Sequence, residues 1–272
     1  MPNEKDDFDK SLFKQTAKKI AQFHCLPAPI PTNFEKWNRF LESCKIDFFG
    51  AKKIIDNSYL EILSNDPLMT SESLKTLRKF NFSNLYEFFF STGLDKMKSP
   101  IVFSHQDFHR DNRIIEEDIN PETGVLIKKL YFIDLDFAMF HNRGMDLGVY
   151  FDSYGQKEYR FGDGSLPDDK IILEFLEIYR KECSRIVGNS FLEKEENQLE
   201  KMLNETKVFT LYGYFLSIWI ALNSALNPNF SEKKHKHFIE STIIRVNQFD
   251  AYKTLLESQN ILPDIGINLY YE

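Results

Sequence analysis

Residues 102–112 read Val-Phe-Ser-His-Gln-Asp-Phe-His-Arg-Asp-Asn and contain the spacing His105-x-Asp107-x-x-x-x-Asn112. Further along the chain, the apolar run 130–133 is followed directly by Asp134. Kinase-like folds use this spacing to place a catalytic base beside two magnesium ligands. The pattern therefore predicts phosphoryl transfer, and it constrains this part of the chain to a loop followed by paired strands.

The residue types at these positions suit that chemistry. Asp107, on a tight loop, can accept the proton of a substrate hydroxyl. Asn112, where the loop turns back into a strand, offers a neutral amide oxygen to a magnesium ion. Because magnesium prefers near-octahedral oxygen ligation by one or two carboxylates plus nucleotide phosphates, a second acidic group is needed, and Asp134 is suitably placed.

The segment between these residues has the pattern of a β-hairpin. Arg113-Ile-Ile115 and Val125-Leu-Ile127 flank a polar turn at Asn120-Pro-Glu-Thr-Gly124. Apolar runs separated by a turn of this composition are typical of paired strands. Such a hairpin would return Asp134 to the neighbourhood of Asn112.

Two alternatives to this assignment come from the same residues. Aspartates before turns often only brace the backbone, and His105 is expected to hold the loop through a carbonyl or carboxylate rather than to act as the base. The alternation His105, Asp107, His109, Asp111 would also place four potential ligands on one face of an extended strand, as in a metallohydrolase. However, no further histidine-rich segment completes such a site.

Three segments resemble the choline/ethanolamine kinases. Residues 105–112 resemble their loop His-Asn-Asp-Leu-x-x-x-Asn, and residues 133–138, Ile-Asp-Leu-Asp-Phe-Ala, resemble Ile-Asp-Phe-Glu-Tyr-Ala. Residues 143–151, Arg-Gly-Met-Asp-Leu-Gly-Val-Tyr-Phe, resemble the following Arg-x-x-Asp-Ile-Gly-Asn-His-Phe. Protein kinases would show Asp-Phe-Gly in the second segment, and aminoglycoside phosphotransferases usually place Gly-Asp before a later Asp-Leu-Ala. The likeness covers nearly the whole chain, but only residues 102–151 are specific.

The resemblance implies transfer of the γ-phosphoryl group of ATP to the hydroxyl of ethanolamine or choline, with Mg²⁺, as the first step of phosphatidylethanolamine or phosphatidylcholine synthesis. It also implies that Arg143 and Asp146 support the site. Asp146 opens a helix, where an aspartate satisfies free N–H groups. Asp136 stands at the family's glutamate position and is expected to assist the metal site. A homodimer is a further open expectation.

The expected substrate pocket departs from the family pattern. The family holds a quaternary ammonium group with two tryptophans at i and i+3 and a nearby glutamate. Here Trp219 is the second tryptophan, but Leu216 replaces the first, and Ser153 replaces the glutamate with Asp152 just before it. Asp152 and Trp219 are therefore predicted to bind substrate, with core packing as the alternative for Trp219. Ethanolamine is favoured, because a primary ammonium can donate three hydrogen bonds and depends less on aromatic faces.

The expected fold class is α+β and mostly α: a protein-kinase-like C-terminal lobe with a small β-hairpin that carries the catalytic loop and metal ligands. The N-terminal nucleotide lobe is expected to be absent, since the 272 residues contain 11 glycines and no Gly-x-Gly-x-x-Gly. One domain is expected over residues 1–272, helical over 1–98, β over 99–150 and helical over 151–260. The competing function is a truncated, non-catalytic pseudokinase or regulatory binding lobe.

Apolar periodicity predicts the individual helices. They are expected at about 8–24, 33–46, 49–64, 71–97, 171–179, 191–226 and 231–256.

Composition limits the compartment and the partners. A net charge of -7 argues against binding nucleic acid through a basic patch. The three cysteines, Cys25, Cys44 and Cys183, lack metal-ligand spacing and suit a reducing, cytoplasmic compartment. Residues 208–226 come nearest to a membrane span but contain polar side chains, so no stable membrane insertion is expected.

Overall fold

A computed structural model of the chain describes residues 4–29, 54, 57–89, 94–156, 168–227, 229–263 and 269. The chain divides into two compact units. The first comprises Met1–Thr32, Ser99–Tyr159 and Asp163–Thr210, and the second comprises Asn33–Lys98, Arg160–Gly162 and Leu211–Glu272. Two compact units can belong to one domain, so the single domain stays a prediction.

The described residues are mostly helical, with four short strands. The helices are α1 (Glu4–Asp7), α2 (Lys10–His24), α3 (Ser58–Ser64), α4 (Ser71–Arg78), α5 (Phe82–Glu87), α6 (Gly144–Ser153), α7 (Asp169–Val187), α8 (Ser190–Glu193), α9 (Leu199–Ala225) and α10 (Glu232–Ser258). The strands are β1 (Ile101–Ser104), β2 (Arg113–Ile119), β3 (Leu126–Phe132) and β4 (Met139–Asn142).

The core of the first unit forms where α2 packs on α7. The apolar residues of α2 recur at helical spacing, and Asp9 caps its start by accepting hydrogen bonds from Ser11 N at 2.8 Å and Leu12 N at 3.2 Å. This face meets the aromatic residues of α6 and α7. The buried cluster includes Phe13, Ala17, Ile20, Ala21, Phe108, Leu147, Tyr150, Phe151, Phe175, Leu176 and Tyr179.

The strands form two antiparallel pairs, β1 with β4 and β2 with β3. In the second pair Arg113 lies opposite Phe132 and Ile119 opposite Leu126. The connecting turn closes with Gly124 N donating to Asn120 O at 2.8 Å, and Gly124 has a φ of 66°, which glycine adopts without strain. The predicted hairpin is therefore confirmed.

Helix α6 lies against α9 at a very close approach. A Cβ atom added at Gly148 would lie 2.2 Å from the backbone carbon of Phe209, and one at Gly144 would lie 2.2 Å from the Phe209 ring. Only glycine fits at these positions without moving a neighbour. The two glycines therefore allow the buried first turns of α6 to lie directly against Phe209 of α9.

The second unit has its own aromatic core. Phe89 stacks on Phe215 with ring centroids 5.0 Å apart, and Trp219 lies 5.7 Å from Phe215 and 5.8 Å from Tyr86. Helix α9 contributes to this core from Leu211 onward. By length and composition α9 could also cross a membrane, but 72% of its most apolar window is buried, as in a core helix.

The prediction of a single helix at 71–97 was wrong. The segment instead forms α4, α5 and a short 3₁₀ helix at Asp95–Met97. A new helix begins after Asn81, because its side-chain oxygen accepts a hydrogen bond from Asn84 N at 3.0 Å. Asparagine favours such caps over helix interiors.

The other helix predictions have mixed outcomes. The helix predicted at about 231–256 is confirmed by α10, whereas the one at 191–226 is divided into α8 and α9. The helix predicted at about 8–24 is α2, preceded by the short α1 that periodicity did not indicate. The helix at 33–46 lies outside the described residues, and the 49–64 prediction falls only partly within them.

Candidate active site

The start of the catalytic loop, which we define as residues 105–112, is held by one buried carboxylate. Asp146 accepts hydrogen bonds from the backbone N of His105 at 2.7 Å and of Gln106 at 2.8 Å. Gln106 has a φ of 70°, a left-handed conformation that costs free energy for a residue other than glycine. Asp146 is 0% exposed. The carboxylate thus stabilises a turn that the backbone alone would disfavour.

Asp146 is in turn fixed by α2 and α7. His24 Nε2 lies 3.0 Å from Asp146 Oδ2, and His24 Nδ1 lies 2.8 Å from the Tyr179 hydroxyl. Burial would raise the pKa of Asp146, but the contact with His24 and the two loop N–H groups hold it below its ordinary value. Asp146 is therefore ionised where it accepts these bonds.

Arg143, just before α6, forms a second buried support. Its guanidinium donates to Asn197 Oδ1 at 2.6 Å, to Glu196 O at 2.8 Å and to Glu205 Oε1 at 3.2 Å, with a further short contact to Glu205 Oε2. The Arg143 and Glu205 side chains are 1% and 5% exposed. Glu205 also accepts from the Ser99 hydroxyl at 2.6 Å, which ties the segment before β1 to the start of α6.

Asp107 and Asn112 meet within the loop. Asn112 Nδ2 donates to Asp107 Oδ2 at 2.7 Å and to Asp107 O at 2.8 Å. His109 Nε2 lies 3.3 Å from Asp107 Oδ1 and 3.2 Å from Asn112 Nδ2. The Asp107 side chain is 37% exposed, so an external hydroxyl can reach it. These contacts fix the orientation of a carboxylate that stays accessible.

Electrostatics favour the ionised form of Asp107. Burial would raise its pKa, but the hydrogen bond and charge of His109, the hydrogen bond from Asn112 and the charge of His105 lower the pKa below its ordinary value. For His109, burial would lower the pKa, while Asp107 and Asp111 raise it above its ordinary value. Near neutral pH, Asp107 is therefore a proton acceptor.

The hairpin returns the chain to this loop. Ile133 N donates to Asn112 O at 3.0 Å, and His105 Nε2 lies 2.9 Å from Ile133 O, to which it can donate. The next residue, Asp134, has a φ of 60° and is exposed. Asp134 therefore follows directly from a residue that is bonded to both ends of the catalytic loop.

The side-chain oxygens of Asn112 and Asp134 are of the type that a magnesium ion binds. Because Asn112 directs its Nδ2 to Asp107, its amide oxygen is the atom left for a ligand. Across the part of the chain that the structure describes, neither this oxygen nor the Asp134 carboxylate has a hydrogen-bond partner. Amide and carboxylate oxygens are the ligands that magnesium prefers.

The metallohydrolase alternative does not fit the geometry. The segment turns through a 3₁₀ helix at Arg110–Asn112 instead of continuing as an extended strand, so its alternate residues do not share one face. Within the described ranges, no group of three or more His, Cys, Asp or Glu side chains could hold a metal ion.

The two predicted substrate residues belong to different units. Asp152 lies in α6 of the first unit and is 6% exposed. Trp219 lies in the second unit, is 5% exposed, and packs against Tyr86 and Phe215. Leu216 is partly buried. The contacts of Trp219 are those of a core residue, so its binding role remains a proposal drawn from the resemblance.

Sequence reasoning missed several residues around the loop. The sequence pattern indicates His109 only as a possible metal ligand, whereas in the structure it contacts the predicted base, Asp107. Asp7, Arg110 and Arg113 form a buried ion cluster. Two arginines flanking a predicted metal ligand were a visible signal, but their acidic partner is about one hundred residues away in the chain.

The fold and this arrangement of loop, hairpin and buried supports define a kinase-like protein. The family model described as choline/ethanolamine kinase matches residues 4–250. The chain belongs to this family.

Individual relatives show how far the similarity extends. A probable ethanolamine kinase A of Dictyostelium discoideum is 26% identical over 224 residues, covering 79% of this chain and 54% of that protein. Among solved structures, an ethanolamine kinase of Plasmodium vivax matches with a TM-score of 0.55 and 17% identity, over 93% of this chain and 64% of that one. A choline kinase of Cryptosporidium parvum matches with a TM-score of 0.60 and 19% identity, over 96% and 70%.

These matches bear on the expected extent of the fold. The chain spans about half the length of the Dictyostelium relative. The expectation of a C-terminal lobe alone, with the N-terminal lobe absent, is not supported, because the family model begins at residue 4 and the solved structures cover 93% and 96% of this chain. A kinase-like fold with mostly helical content and small sheets is what these comparisons support.

Proposed function

We propose that this chain carries the phosphoryl-transfer site of an ethanolamine or choline kinase. ATP is the phosphoryl donor, Mg²⁺ the metal ion and the hydroxyl of an amino alcohol the acceptor. The reaction would be the first step of phosphatidylethanolamine or phosphatidylcholine synthesis, in the cytoplasm. Family membership and the names of the relatives support the substrate class.

One observation carries the proposal. An accessible carboxylate, Asp107, is oriented by the asparagine of its own loop, and the hairpin bonds that same asparagine to the residue before Asp134. A proton acceptor and two oxygen ligands thus follow from one short stretch of chain. Positioning and charge stabilisation are most of what a phosphoryl transfer requires from a protein.

Asp107 serves as the general base in this proposal. Its Oδ2 accepts a hydrogen bond from the Asn112 amide at 2.7 Å, while Oδ1 has a longer contact of 3.3 Å with His109. Oδ1 is therefore the better placed oxygen to accept the proton of the substrate hydroxyl. His109 favours the ionised carboxylate and so keeps Asp107 ready to accept that proton.

Asn112 and Asp134 would hold the magnesium ion through their free oxygens. When bound, the ion would offset the negative charge of the nucleotide phosphates. Asp136, exposed in the same turn, would add negative charge near this position. Asp146 and His105 act as supports: neither is needed as a proton acceptor, and each bonds backbone atoms beside the reacting groups. Arg143 acts less directly, because it ties the start of α6, which carries Asp146, to Glu196 and Glu205.

Ethanolamine is the preferred substrate in this proposal. A quaternary ammonium gains about 0.5 to 2 kcal/mol from an aromatic face, and Leu216 removes one such face from the helix that carries Trp219. A primary ammonium can instead donate hydrogen bonds to a carboxylate, for which Asp152 is the candidate.

The test is a direct assay for product. Purified protein is incubated with Mg-ATP and either ethanolamine or choline, and the phosphorylated amino alcohol is measured by mass spectrometry. Asp107→Asn protein, checked for native folding, is the control for a contaminating kinase. We expect the product with the unsubstituted protein and a strongly reduced amount with the variant.

The competing function makes a different prediction in the same preparation. A non-catalytic binding lobe would bind an amino alcohol in calorimetry and form no phosphorylated product at any magnesium concentration. Saturable binding without turnover would contradict the proposed kinase activity and favour the regulatory function.

A further inference from the structure

A buried carboxylate from the N-terminal helix contacts the end of the catalytic loop. Asp7, in α1, is 1% exposed and accepts a hydrogen bond from Arg113 Nη2 at 2.9 Å and a short one from Arg110 Nη2. The backbone N of Gly155 also donates to it at 2.9 Å. Arg110 and Arg113 are the first residue of the 3₁₀ helix and the first residue of β2, so they enclose Asn112 in the sequence.

Both arginines are themselves buried and fixed by other groups. Arg110 donates from Nη1 to Gln156 O at 2.7 Å, just after α6, and from Nη2 to Ser153 O at 3.2 Å, at the end of α6. The Arg113 guanidinium lies over the Tyr150 ring, 5.4 Å from its centroid. Their side chains are 9% and 5% exposed. Buried arginines without a carboxylate partner would be strongly unfavourable, so Asp7 determines whether this arrangement forms.

The loop is thus held at both ends by fully buried carboxylates. Asp146 bonds the backbone at His105 and Gln106, and Asp7 bonds the side chains of Arg110 and Arg113. Asp107 and Asn112 lie between the two attachments. Loss of either attachment would free one side of the turn that orients the reacting groups.

We propose that Asp7 is a positioning residue for the phosphoryl-transfer site, acting through Arg110 and Arg113 on the placement of Asn112. The kinetic consequences of this proposal rest on the function proposed above. Its structural consequence, the attachment of the loop by Asp7, does not. It makes α1 part of the apparatus of the site, although Asp7 itself touches neither substrate nor metal.

The structural consequence is tested without any activity. Asp7→Asn keeps the size of the side chain, removes its charge and turns an amide donor toward two cations. We expect amide hydrogen exchange of residues 105–113, measured by mass spectrometry, to become about tenfold faster. The matched control is Asp6→Asn, because Asp6 is in the same helix and its carboxylate contacts Lys128 at 3.7 Å. The control should exchange like the unsubstituted protein in this segment.

The kinetic consequence distinguishes positioning from general stability. At saturating magnesium, Asp7→Asn should lower kcat by about ten- to hundredfold, the effect of small misplacement of reacting groups. The magnesium concentration for half-maximal rate should rise, while KM for the amino alcohol stays unchanged. Asp6→Asn should change none of these values.

Each outcome either supports or contradicts the positioning role of Asp7. If Asp7→Asn does not fold, Arg110→Lys replaces it, since lysine keeps the charge but loses the fork that reaches Asp7 and the α6 carbonyls together. Unchanged exchange of residues 105–113 in a folded variant would overturn the proposal. Faster exchange with unchanged kcat and magnesium requirement would also overturn it, because Asp7 would then be only structural. If the unsubstituted protein forms no product, the proposed kinase function fails, and the exchange experiment still tests the attachment.

Discussion

In the sequence, the turn after β3 comes just before β4 and the start of α6 comes just after it. The charged side chains of these two segments differ in burial and in their number of partners. At the start of α6, Arg143 and Asp146 are 1% and 0% exposed, and each has at least three polar partners. In the turn, Asp134 and Asp136 are exposed. In the described part of the chain, Asp134 has no hydrogen-bond partner.

This difference is the one expected between residues that support a site and residues that react in it. A buried charge with its partners satisfied cannot be removed without leaving an uncompensated charge in the interior. An exposed carboxylate with free lone pairs contributes little to folding and remains available to a ligand. Substitutions in the two regions should therefore affect different properties, and the following predictions test that separation.

The largest effect is expected at the partly exposed proposed base, Asp107. Asp107→Asn should lower turnover by about 10² to 10⁴, the usual contribution of a positioned general base. Because the side chain is 37% exposed, the free energy of unfolding should change by no more than about 1 kcal/mol. Steady-state kinetics and urea unfolding measure the two quantities. A variant that keeps most of its activity would assign the base to another residue.

At the buried support the effect should appear in stability. Arg143→Met leaves the Glu205 carboxylate buried without its cationic partner, and we expect a loss of about 3–5 kcal/mol in the free energy of unfolding. The matched control is Lys181→Met, which removes an exposed ion pair with Glu177 and should cost less than about 0.5 kcal/mol.

Urea unfolding of both variants tests whether burial of the ion pair determines the loss in the free energy of unfolding. Equal losses of unfolding free energy for Arg143→Met and Lys181→Met would contradict the distinction between supports and reacting groups. A larger loss for Arg143→Met would support it, particularly if the residual native protein keeps its magnesium requirement.

The proposed reacting groups are easier to predict from the sequence than the partners that support them. The spacing of Asp107, Asn112 and Asp134 indicates these groups as candidates, because the loop and the hairpin that join them are local in sequence. The partners of Asp7 and Asp146 could not be predicted in the same way. They are joined to their contacts by packing between distant segments, and a single sequence contains no direct signal of such packing.

Local chemistry also explains the fold prediction that was wrong. The residues from 71 to 97 have helical periodicity throughout, but Asn81 offers its side chain to the backbone and begins a new helix. Periodicity indicates which face is buried, whereas a cap decides where a helix starts. The separation of α8 from α9 was equally invisible in the apolar pattern.

The exposed turn should affect the metal ion more than the fold. Asp134→Asn removes one negative charge from the proposed magnesium ligands while keeping a ligand oxygen. We expect the magnesium concentration for half-maximal activity to rise by about ten- to a hundredfold, as for other disturbed metal sites. Asp118→Asn, in an exposed part of β2, is a control of equal charge change. An unchanged magnesium requirement would remove Asp134 from the metal site.

The smallest effect is expected in the second unit, at Leu216 on α9. This helix face is partly buried and so lies between the buried supports and the exposed turn in its burial. Leu216 lies three residues before Trp219, so the two share a face of α9. In an active preparation, Leu216→Trp should improve choline relative to ethanolamine by about two- to thirtyfold in kcat/KM, because a quaternary ammonium gains about 0.5 to 2 kcal/mol from an aromatic face. Leu216→Phe, a smaller aromatic group, should give an intermediate change. If the unsubstituted protein already prefers choline, or the ratio is unchanged in both variants, this face is core packing and Trp219 belongs with the buried supports.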